Sequence, residues 1–203
     1  MIVVLDYGMG NLRSVSKALE HLGADVKVTS NPADLSRAEK AILPGVGAFG
    51  DAAKELDRAG LREPLVEYIR SGGLFLGICL GLQLLFSESE ESPGAKGLGI
   101  FPGTVRLFRS PGLKVPHMGW NQILIRKQHP LLKGIPDKSY FYFVHSFYAP
   151  AGAGGASAAD CDYGGEMFSA ALGTETLFAA QFHPEKSQGA GLGILKNFVD
   201  WKK

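Results

Sequence analysis

Residues 74–81 read Leu-Phe-Leu-Gly-Ile-Cys-Leu-Gly, and this stretch decides the fold class. Its first five residues are apolar at every position, which is typical of a central parallel strand buried on both faces. Gly77, Cys79 and Gly81 then form the pattern G-x-C-x-G, and a helical run is predicted from Leu82 to Phe86. The pattern predicts an exposed thiol on a tight turn, where glycines leave room for strained backbone and a helix N-terminus favours the thiolate. A small buried cysteine in a core strand is the alternative.

The chain before this strand alternates between strand and helix patterns. Short apolar or alternating runs predict strands ending at Leu5 and over residues 25–29 and 40–43. Helical spacing predicts an amphipathic helix through residues 12–22, a helix start at Asn31-Pro32 and one helix from about Asp51 to Arg70. This order of elements predicts a β-α-β-α-β unit with parallel strands.

The second half of the chain is richer in strand patterns. The predicted strands cover residues 104–108, 122–125, 140–148 and 176–182, and a final helix ends near Trp201. A Gly/Ala tract at residues 151–159 predicts a loop or a hairpin tip. Together the two halves predict one α/β domain over residues 1–203. Its central sheet is expected to be mixed, mostly parallel and flanked by helices, with a smaller antiparallel β portion.

Composition excludes several classes of protein. The formal charge is only +1, so no field of one sign attracts nucleic acid or an anionic membrane. Two cysteines are too few for a disulfide framework, and Cys161 is expected to be a packed small residue. The N-terminal apolar run ends at Asp6, which is too short for a signal peptide or a membrane span. These observations predict a cytoplasmic protein.

Two further strand ends carry residues suited to catalysis. In an extended Gln181-Phe182-His183-Pro184-Glu185 segment, His183 and Glu185 would point to the same side, so the carboxylate could orient the imidazole as a base. The alternative is a surface turn with a solvated glutamate. Pro44-Gly45-Val46-Gly47 follows another strand, and its backbone N–H groups could face a developing oxyanion, with Leu80 N–H as a second donor.

The same glycines allow a different function. Gly45, Gly47 and Gly50 satisfy the dinucleotide pattern G-x-G-x-x-G, which would make the chain a non-catalytic dinucleotide-binding module. That pattern expects an acidic residue about 20 positions later, where this chain has residues 70–73, Arg-Ser-Gly-Gly. No spacing of Cys and His matches a zinc site, so no metal or cofactor is predicted, and His21 and His129 are expected at the surface.

In this order, three motifs resemble the class I glutamine amidotransferases: Pro44–Gly47, Gly77–Gln83 and Gln181–Ser187. The resemblance implies that fold, with Cys79 as nucleophile, His183 as general base and acid, and Glu185 as its orienting partner. It further implies an oxyanion hole and contacts to L-glutamine, formed respectively by Val46 and Leu80 and by Gly45, Gly47, Gln83 and Ser146. Phe147 stands where the family often has tyrosine, which removes a hydroxyl from the pattern.

Segments outside these motifs narrow the resemblance. Residues 6–14, 115–121 and 142–146 are similar to the glutaminase subunits of imidazole glycerol phosphate synthases, which act in histidine biosynthesis. The resemblance implies a heterodimer with a (β/α)₈ cyclase subunit that receives the ammonia. It also implies a partner interface formed by Met9, Asn11, Met118, Trp120, Asn121, Tyr142 and Lys186. Trp120 and Tyr142 could instead be aromatic core residues, and a class I glutaminase serving pyridoxal phosphate or anthranilate synthesis is the related alternative.

Overall fold

The computed structural model describes residues 1–203 as five α-helices and thirteen β-strands. The helices are α1 (Leu12–His21), α2 (Phe49–Arg58), α3 (Arg62–Arg70), α4 (Leu80–Gln83) and α5 (Gln188–Asp200). The strands are β1 (Ile2–Leu5), β2 (Val26–Thr29), β3 (Lys40–Gly45), β4 (Leu74–Cys79), β5 (Phe86–Ser89), β6 (Phe101–Leu107), β7 (His117–Gln122), β8 (Leu124–Ile125), β9 (Tyr140–His145), β10 (Phe147–Tyr148), β11 (Ser157–Tyr163), β12 (Glu166–Gly173) and β13 (Leu177–Ala180).

The central sheet has eight strands in the order β2-β1-β3-β4-β13-β12-β11-β8. The first five are mutually parallel, and β12, β11 and β8 continue the sheet in antiparallel pairs. Strands β1, β3, β4 and β13 are buried along their whole length, as expected for parallel strands covered on both faces. The predicted mixed, mostly parallel sheet is therefore confirmed.

Two apolar clusters cover opposite faces of this sheet, because successive strand residues point to opposite sides. Val4 of β1 packs in the cluster that receives α1 and α5, whereas Val3 packs in the cluster that receives α2 and α3. The predicted helices on both faces are thus confirmed. None of these helices has the length and apolar character needed to cross a membrane.

Two small sheets form the predicted antiparallel portion. β7 and β9 make a two-stranded antiparallel ribbon, and β10-β6-β5 make a three-stranded sheet in which β10 is antiparallel to β6 and β5 is parallel to it. The ribbon lies over the carboxyl ends of the central strands, since His183 N–H donates to Tyr142 O at 2.9 Å. Sites in open α/β sheets form at these strand ends.

Two helix predictions were wrong in extent. The single helix expected from Asp51 to Arg70 is split, because Gly60 adopts φ +65° and Leu61 N–H bonds back to Leu56 O, which ends α2. The helix expected from Leu82 to Phe86 is instead the single turn α4. It ends because the Leu84 and Leu85 carbonyls accept from backbone N–H groups of residues 98, 100 and 101.

Three other predictions also need correction: the type of one helix, the extent of one loop and the burial of one histidine. Asn31 begins a 3₁₀ helix at Pro32–Arg37 rather than an α-helix, with its side chain accepting from Ala33 N–H at 3.1 Å. The Gly/Ala tract is a loop only up to residue 156, since β11 starts at Ser157. His129 is buried rather than at the surface, because its ring caps a 3₁₀ turn and packs against apolar neighbours.

Candidate active site

Cys79 sits at the junction of β4 and α4 with φ 54° and ψ −107°, a conformation that non-glycine residues seldom adopt. A Cβ on Gly81 would lie 2.0 Å from Leu43 O, so only glycine lets this turn approach β3 so closely. The turn expected from G-x-C-x-G is therefore present. Cys79 as a whole is only 6% exposed and lies at the wall of a cavity, so the thiol expected to be exposed is not on the open surface.

The cavity beside Cys79 has a volume of about 410 Å³. Its lining combines the residues from all three sequence motifs with part of the β9–β10 segment: Val46, Gly47, Cys79, Leu80, Gln83, Glu91, Pro116, Val144, His145, Ser146, Phe147 and His183. A larger cavity of about 950 Å³ lies at the opposite, amino-terminal end of the parallel strands, where Thr174–Thr176 precede β13. It contains no cysteine, so the smaller cavity is the candidate active site.

His183 and Glu185 form a buried pair next to this cavity. His183 Nδ1 donates to Glu185 Oε1 at 2.8 Å, and the two side chains are 2% and 0% exposed. The extended segment expected here is instead a 3₁₀ turn at Pro184–Lys186, which begins at the proline. The turn folds Glu185 back beneath the imidazole, so the pairing holds although the backbone conformation was wrongly predicted.

Electrostatics favour a protonated imidazole in this pair. Burial lowers the pKa of His183, but the nearby Cys79 and the hydrogen-bonded Glu185 carboxylate favour the charged imidazole, outweigh burial and raise the pKa to about 10. An imidazolium beside a thiolate is the reactive ion pair of cysteine nucleophiles. The arrangement can supply both an attacking thiolate and the proton that a leaving amine requires.

Two side chains that the motif analysis did not assign to the triad hold it in place. Asn11 Nδ2 donates to Glu185 Oε1 at 3.3 Å, so a residue expected at a partner interface also touches the carboxylate that pairs with His183. Ser187 Oγ donates to His183 O at 2.6 Å and accepts from Tyr142 N–H at 2.9 Å. No spacing rule would have found these contacts. Those to Asn11 and Tyr142 join segments distant in the sequence, and Ser187 meets His183 O across the 3₁₀ turn.

A buried amide pair links the nucleophile to the rest of the cavity. Gln83 Nε2 donates to Phe147 O at 2.9 Å and to Gln181 Oε1 at 3.1 Å. Gln181 Nε2 in turn lies 3.7 Å from Cys79 Sγ. Gln83 was expected to contact glutamine, whereas Gln181 is a functional candidate that the sequence analysis quoted only as part of a motif.

The predicted oxyanion segment flanks the nucleophile. Gly45 is the register partner of Cys79 across β3 and β4, and Val46 and Gly47 continue from it into the cavity wall. Gly45 itself is needed for packing, since a Cβ there would lie 2.6 Å from the buried Tyr7 hydroxyl. Val46 is 41% exposed and Gly47 has φ +95°, so this peptide is not enclosed by the core.

The dinucleotide alternative is wrong. At the N-terminus of α2, where a pyrophosphate would bind, Phe49 N–H donates to Glu91 Oε2 at 2.7 Å and Gly50 N–H donates to Ser92 Oγ at 3.0 Å. A carboxylate of the chain therefore occupies the anion position. No group of three or more His, Cys, Asp or Glu side chains is arranged to hold a metal ion.

The residues expected at a partner interface fall into two groups. Met118 and Trp120 are 61% and 46% exposed on β7, and Trp120 packs edge-on against Tyr142, whose ring lies 5.9 Å from Lys186 Nζ. The aromatic-core alternative is thus wrong for Trp120. The second group points inward: Asn11 meets the triad, Met9 lies against Gly47, and Asn121 donates to Asp162 O at 2.8 Å.

Comparison with known proteins identifies the family. The model of the family "Glutamine amidotransferase class-I" matches residues 3–201. The chain belongs to this family. It is 51% identical to the imidazole glycerol phosphate synthase subunit HisH of Syntrophotalea carbinolica, over 98% of this chain and 100% of that protein. It is 54% identical to the same subunit from Methanothermobacter thermautotrophicus, over 98% of both chains. The two levels of resemblance found in the sequence are confirmed.

Solved structures confirm the fold of this glutamine amidotransferase. A crystal structure described as a glutamine amidotransferase superposes with a TM-score of 0.76 at 18% identity and covers 99% of this chain and 100% of its own. PurLQS from Thermotoga maritima superposes with a TM-score of 0.77 at 20% identity over 98% of this chain and 97% of the matched chain. At these identities the likeness concerns the fold alone.

Proposed function

We propose that this protein is the glutaminase subunit of an imidazole glycerol phosphate synthase and acts in histidine biosynthesis in the cytoplasm. The observation that carries the proposal is the convergence of Cys79, His183 and the Val46–Gly47 segment on one cavity. That cavity lies beneath a ribbon that exposes Trp120 and Met118 to a partner. The relatives at about half identity bear the name of this subunit.

The geometry supports hydrolysis of L-glutamine through a thioester. The Cys79 thiolate attacks the side-chain amide carbon, and the resulting oxyanion accepts hydrogen bonds from Val46 N–H and Leu80 N–H. The His183 imidazolium gives its proton to the departing nitrogen, which leaves as ammonia. His183 then takes a proton from water, whose oxygen attacks the γ-glutamyl thioester and releases glutamate and the free cysteine. Glu185 keeps Nδ1 protonated, so Nε2 faces the reacting atoms throughout.

Glutamine binding involves the remaining cavity residues. Gln83 and Ser146 line the space beside the nucleophile, and Gly47 leaves the backbone open to the substrate. Phe147 supplies a carbonyl to this wall, and its apolar ring takes the place of a phenol common in the family.

The ammonia serves a (β/α)₈ cyclase subunit bound to the surface around Trp120, Tyr142 and Lys186. Free ammonia in water becomes protonated and unreactive, so transfer within a heterodimer keeps the ammonia unprotonated until it reaches the acceptor. The cyclase combines it with a phosphoribulosyl-formimino aminoimidazole carboxamide ribonucleotide, and the products are imidazole glycerol phosphate and the aminoimidazole carboxamide ribonucleotide. Glutamine hydrolysis is slow without the cyclase and its nucleotide, because the exposed Val46 peptide must turn before its N–H can donate to the oxyanion.

A pair of acceptor assays tests this proposal. Cys79→Ala, reconstituted with the cyclase, should make no imidazole glycerol phosphate from glutamine and should retain synthesis from added ammonium salts. Loss of both activities would contradict the assigned role of Cys79. Glutamate release by the wild type should rise when cyclase and nucleotide are added, and equal rates would contradict the activation mechanism. A synthase for pyridoxal phosphate or anthranilate that co-purifies in place of the cyclase would overturn the assignment of the partner.

A further inference from the structure

Two buried histidines, His117 and His145, lie beside the active-site cavity and take no part in the mechanism above. They are register partners across β7 and β9 and are 3% and 6% exposed. His117 Nδ1 and His145 Nε2 are 3.1 Å apart. His145 also belongs to the lining of the cavity. A direct imidazole pair at the end of the ribbon is therefore in contact with the glutamine site.

The hydrogen-bond partners fix which nitrogen carries each proton. Phe147 O is a carbonyl and can only accept, so His145 Nδ1, at 2.8 Å, must be the donor. In a neutral ring Nε2 is then an acceptor, and it receives the proton of His117 Nδ1. His117 Nε2 in turn accepts from Asn121 Nδ2 at 3.3 Å. The chain runs in one direction, from Asn121 through both imidazoles to the Phe147 carbonyl.

The surroundings keep both rings neutral and fixed in orientation. Burial lowers the pKa of His117 to about 4 and that of His145 to about 3. His117 is stacked between Tyr163 and Phe143, with ring centroids 3.9 Å and 4.9 Å away. Neither imidazole is therefore available as an acid or a base. The pair instead provides one hydrogen-bond donor of fixed orientation, the N–H at His145 Nδ1.

The carbonyl that receives this N–H also holds Gln83. Phe147 O accepts from His145 Nδ1 on one side and from Gln83 Nε2 at 2.9 Å on the other. Gln83 Nε2 donates both its protons to oxygens, those of Phe147 and Gln181, so Gln83 Oε1 is left as a free acceptor on a side chain that lines the cavity. The orientation of this amide thus depends on where the Phe147 carbonyl points.

We propose that His117 and His145 are positioning residues for glutamine binding: they lock the Phe147 carbonyl and through it present Gln83 Oε1 to the substrate. The proposal rests on the glutaminase function proposed above. His145 is the last residue of β9 and Phe147 the first of β10, so the imidazole bond spans the point where the chain passes from the ribbon to the three-stranded sheet. Without it, the peptide between the two sheets is free to rotate and the amide loses its fixed acceptor.

Two substitutions of His145 test the proposal, because they distinguish loss of the hydrogen-bond donor from loss of side-chain packing. His145→Asn keeps an N–H at the position of Nδ1, whereas His145→Leu keeps apolar volume and removes the donor. In the complete heterodimer with its nucleotide, His145→Leu should raise KM for glutamine at least tenfold with a smaller change in kcat, and His145→Asn should stay within threefold of the wild type. A purely structural role predicts that KM does not follow the donor, so equal KM values for the two variants would overturn the proposal.

A matched control uses the remaining buried histidine. His129 is 7% exposed and bonds to Thr174 O at the opposite end of the sheet. His129→Leu should lower the unfolding free energy without changing KM, and a KM rise equal to that of His145→Leu would refute the positioning role. Should His145→Leu fail to fold, His117→Phe preserves the stack and removes Nδ1–H. It should raise KM at least threefold, and an unchanged KM would refute the proposal.

A spectroscopic measurement is independent of activity. ¹⁵N chemical shifts of the wild-type heterodimer at pH 6 should report both imidazoles as neutral Nδ1–H tautomers. An Nε2–H tautomer at His145 would overturn the hydrogen-bond chain even if the enzyme is active. A wild type that releases no glutamate with cyclase and nucleotide would instead refute the glutaminase function and leave the tautomer result to decide this inference.

Discussion

The contact between α5 and the turn that carries Glu185 gives a sharp prediction. A Cβ on Gly191 of α5 would lie 2.0 Å from Pro184 O and 2.7 Å from Ser187 Cβ. Pro184 O belongs to the 3₁₀ turn between His183 and Glu185, and it already accepts from Ser187 N–H at 3.1 Å. The change Gly191→Ala therefore pushes directly on the backbone that orients the triad.

The magnitude follows from this distance. Ordinary contacts begin at 3.4 Å, so the turn or the helix must move by more than 1 Å. Overpacking of this kind costs about 1–3 kcal/mol, against a gain of up to about 1 kcal/mol from replacing glycine by alanine within a helix. A displacement of about 1 Å at catalytic groups costs on the order of 100-fold in rate. We expect kcat to fall by about that factor, with a net loss of about 1–2 kcal/mol in unfolding free energy.

The matched control lies two residues away in the same helix. A Cβ on Gly189 meets nothing within 4 Å, so Gly189→Ala should leave kcat unchanged and keep or slightly raise the unfolding free energy. Both variants are measured by urea unfolding and by glutamate release in the heterodimer with cyclase and nucleotide. A folded Gly191→Ala variant whose kcat lies within twofold of Gly189→Ala would refute the reasoning.

Three further predictions concern acid stability, the partner surface and the triad. Lowering the pH from 7 to 5 should destabilise the fold by about 2 kcal/mol for each of His117 and His145. The pKa values of these two histidines in the folded protein lie below 6.5. At pH 5 the unfolded chain therefore binds protons at both positions that the folded protein does not bind. Trp120→Ala should weaken cyclase binding by about 2 kcal/mol, roughly 30-fold in Kd, while the unfolding free energy changes by about 1 kcal/mol or less. Asn11→Asp should lower kcat more than Asn11→Ala, because it places a second carboxylate beside Glu185.

Each of these has its own contradicting result. Urea unfolding with equal free energies at pH 7 and 5 would contradict the neutral imidazole pair. Val28, which is 43% exposed on β2, provides the control for Trp120, and equal effects of the two alanine variants on Kd would argue against the assigned surface. Glutamate release that is equal for Asn11→Asp and Asn11→Ala would show that the Asn11 contact does not affect the triad.

The sequence predicted those parts of the fold that depend on local residue patterns. The apolar run before Cys79 and the alternation of strand and helix patterns before it were sufficient for the parallel β/α core, since burial and periodicity are properties of neighbouring residues. Helix ends were predicted less well. Gly60 stops α2 by its positive φ, and α4 stops because distant N–H groups bond to the carbonyls of Leu84 and Leu85, which follow it. Only the first of these ends has a local signal.

The same contrast between local patterns and contacts across the fold applies to the active site. Motif resemblance located the triad, the oxyanion segment and Gln83 as candidates. The structure brings them to the wall of one cavity, except Glu185, which is buried behind His183. The triad contacts of Asn11, Ser187 and Gln181 were not predicted. Those of Asn11 and Gln181 join distant segments, and that of Ser187 depends on the 3₁₀ turn at residues 184–186. His129 was placed at the surface because His-Pro is a common turn signal, and only tertiary packing against Trp201 reveals its burial.

The position of β13 bears on how this enzyme is made. The strand is the last in the chain, yet it pairs with β4 on one side and β12 on the other in the middle of the sheet. During synthesis the sheet therefore remains in two halves, each with an unpaired central edge open to other chains, until residues 177–180 emerge. Because His183 lies three residues after that strand, Cys79 and His183 come together only when β13 pairs with β4, so completing the sheet also completes the candidate active site.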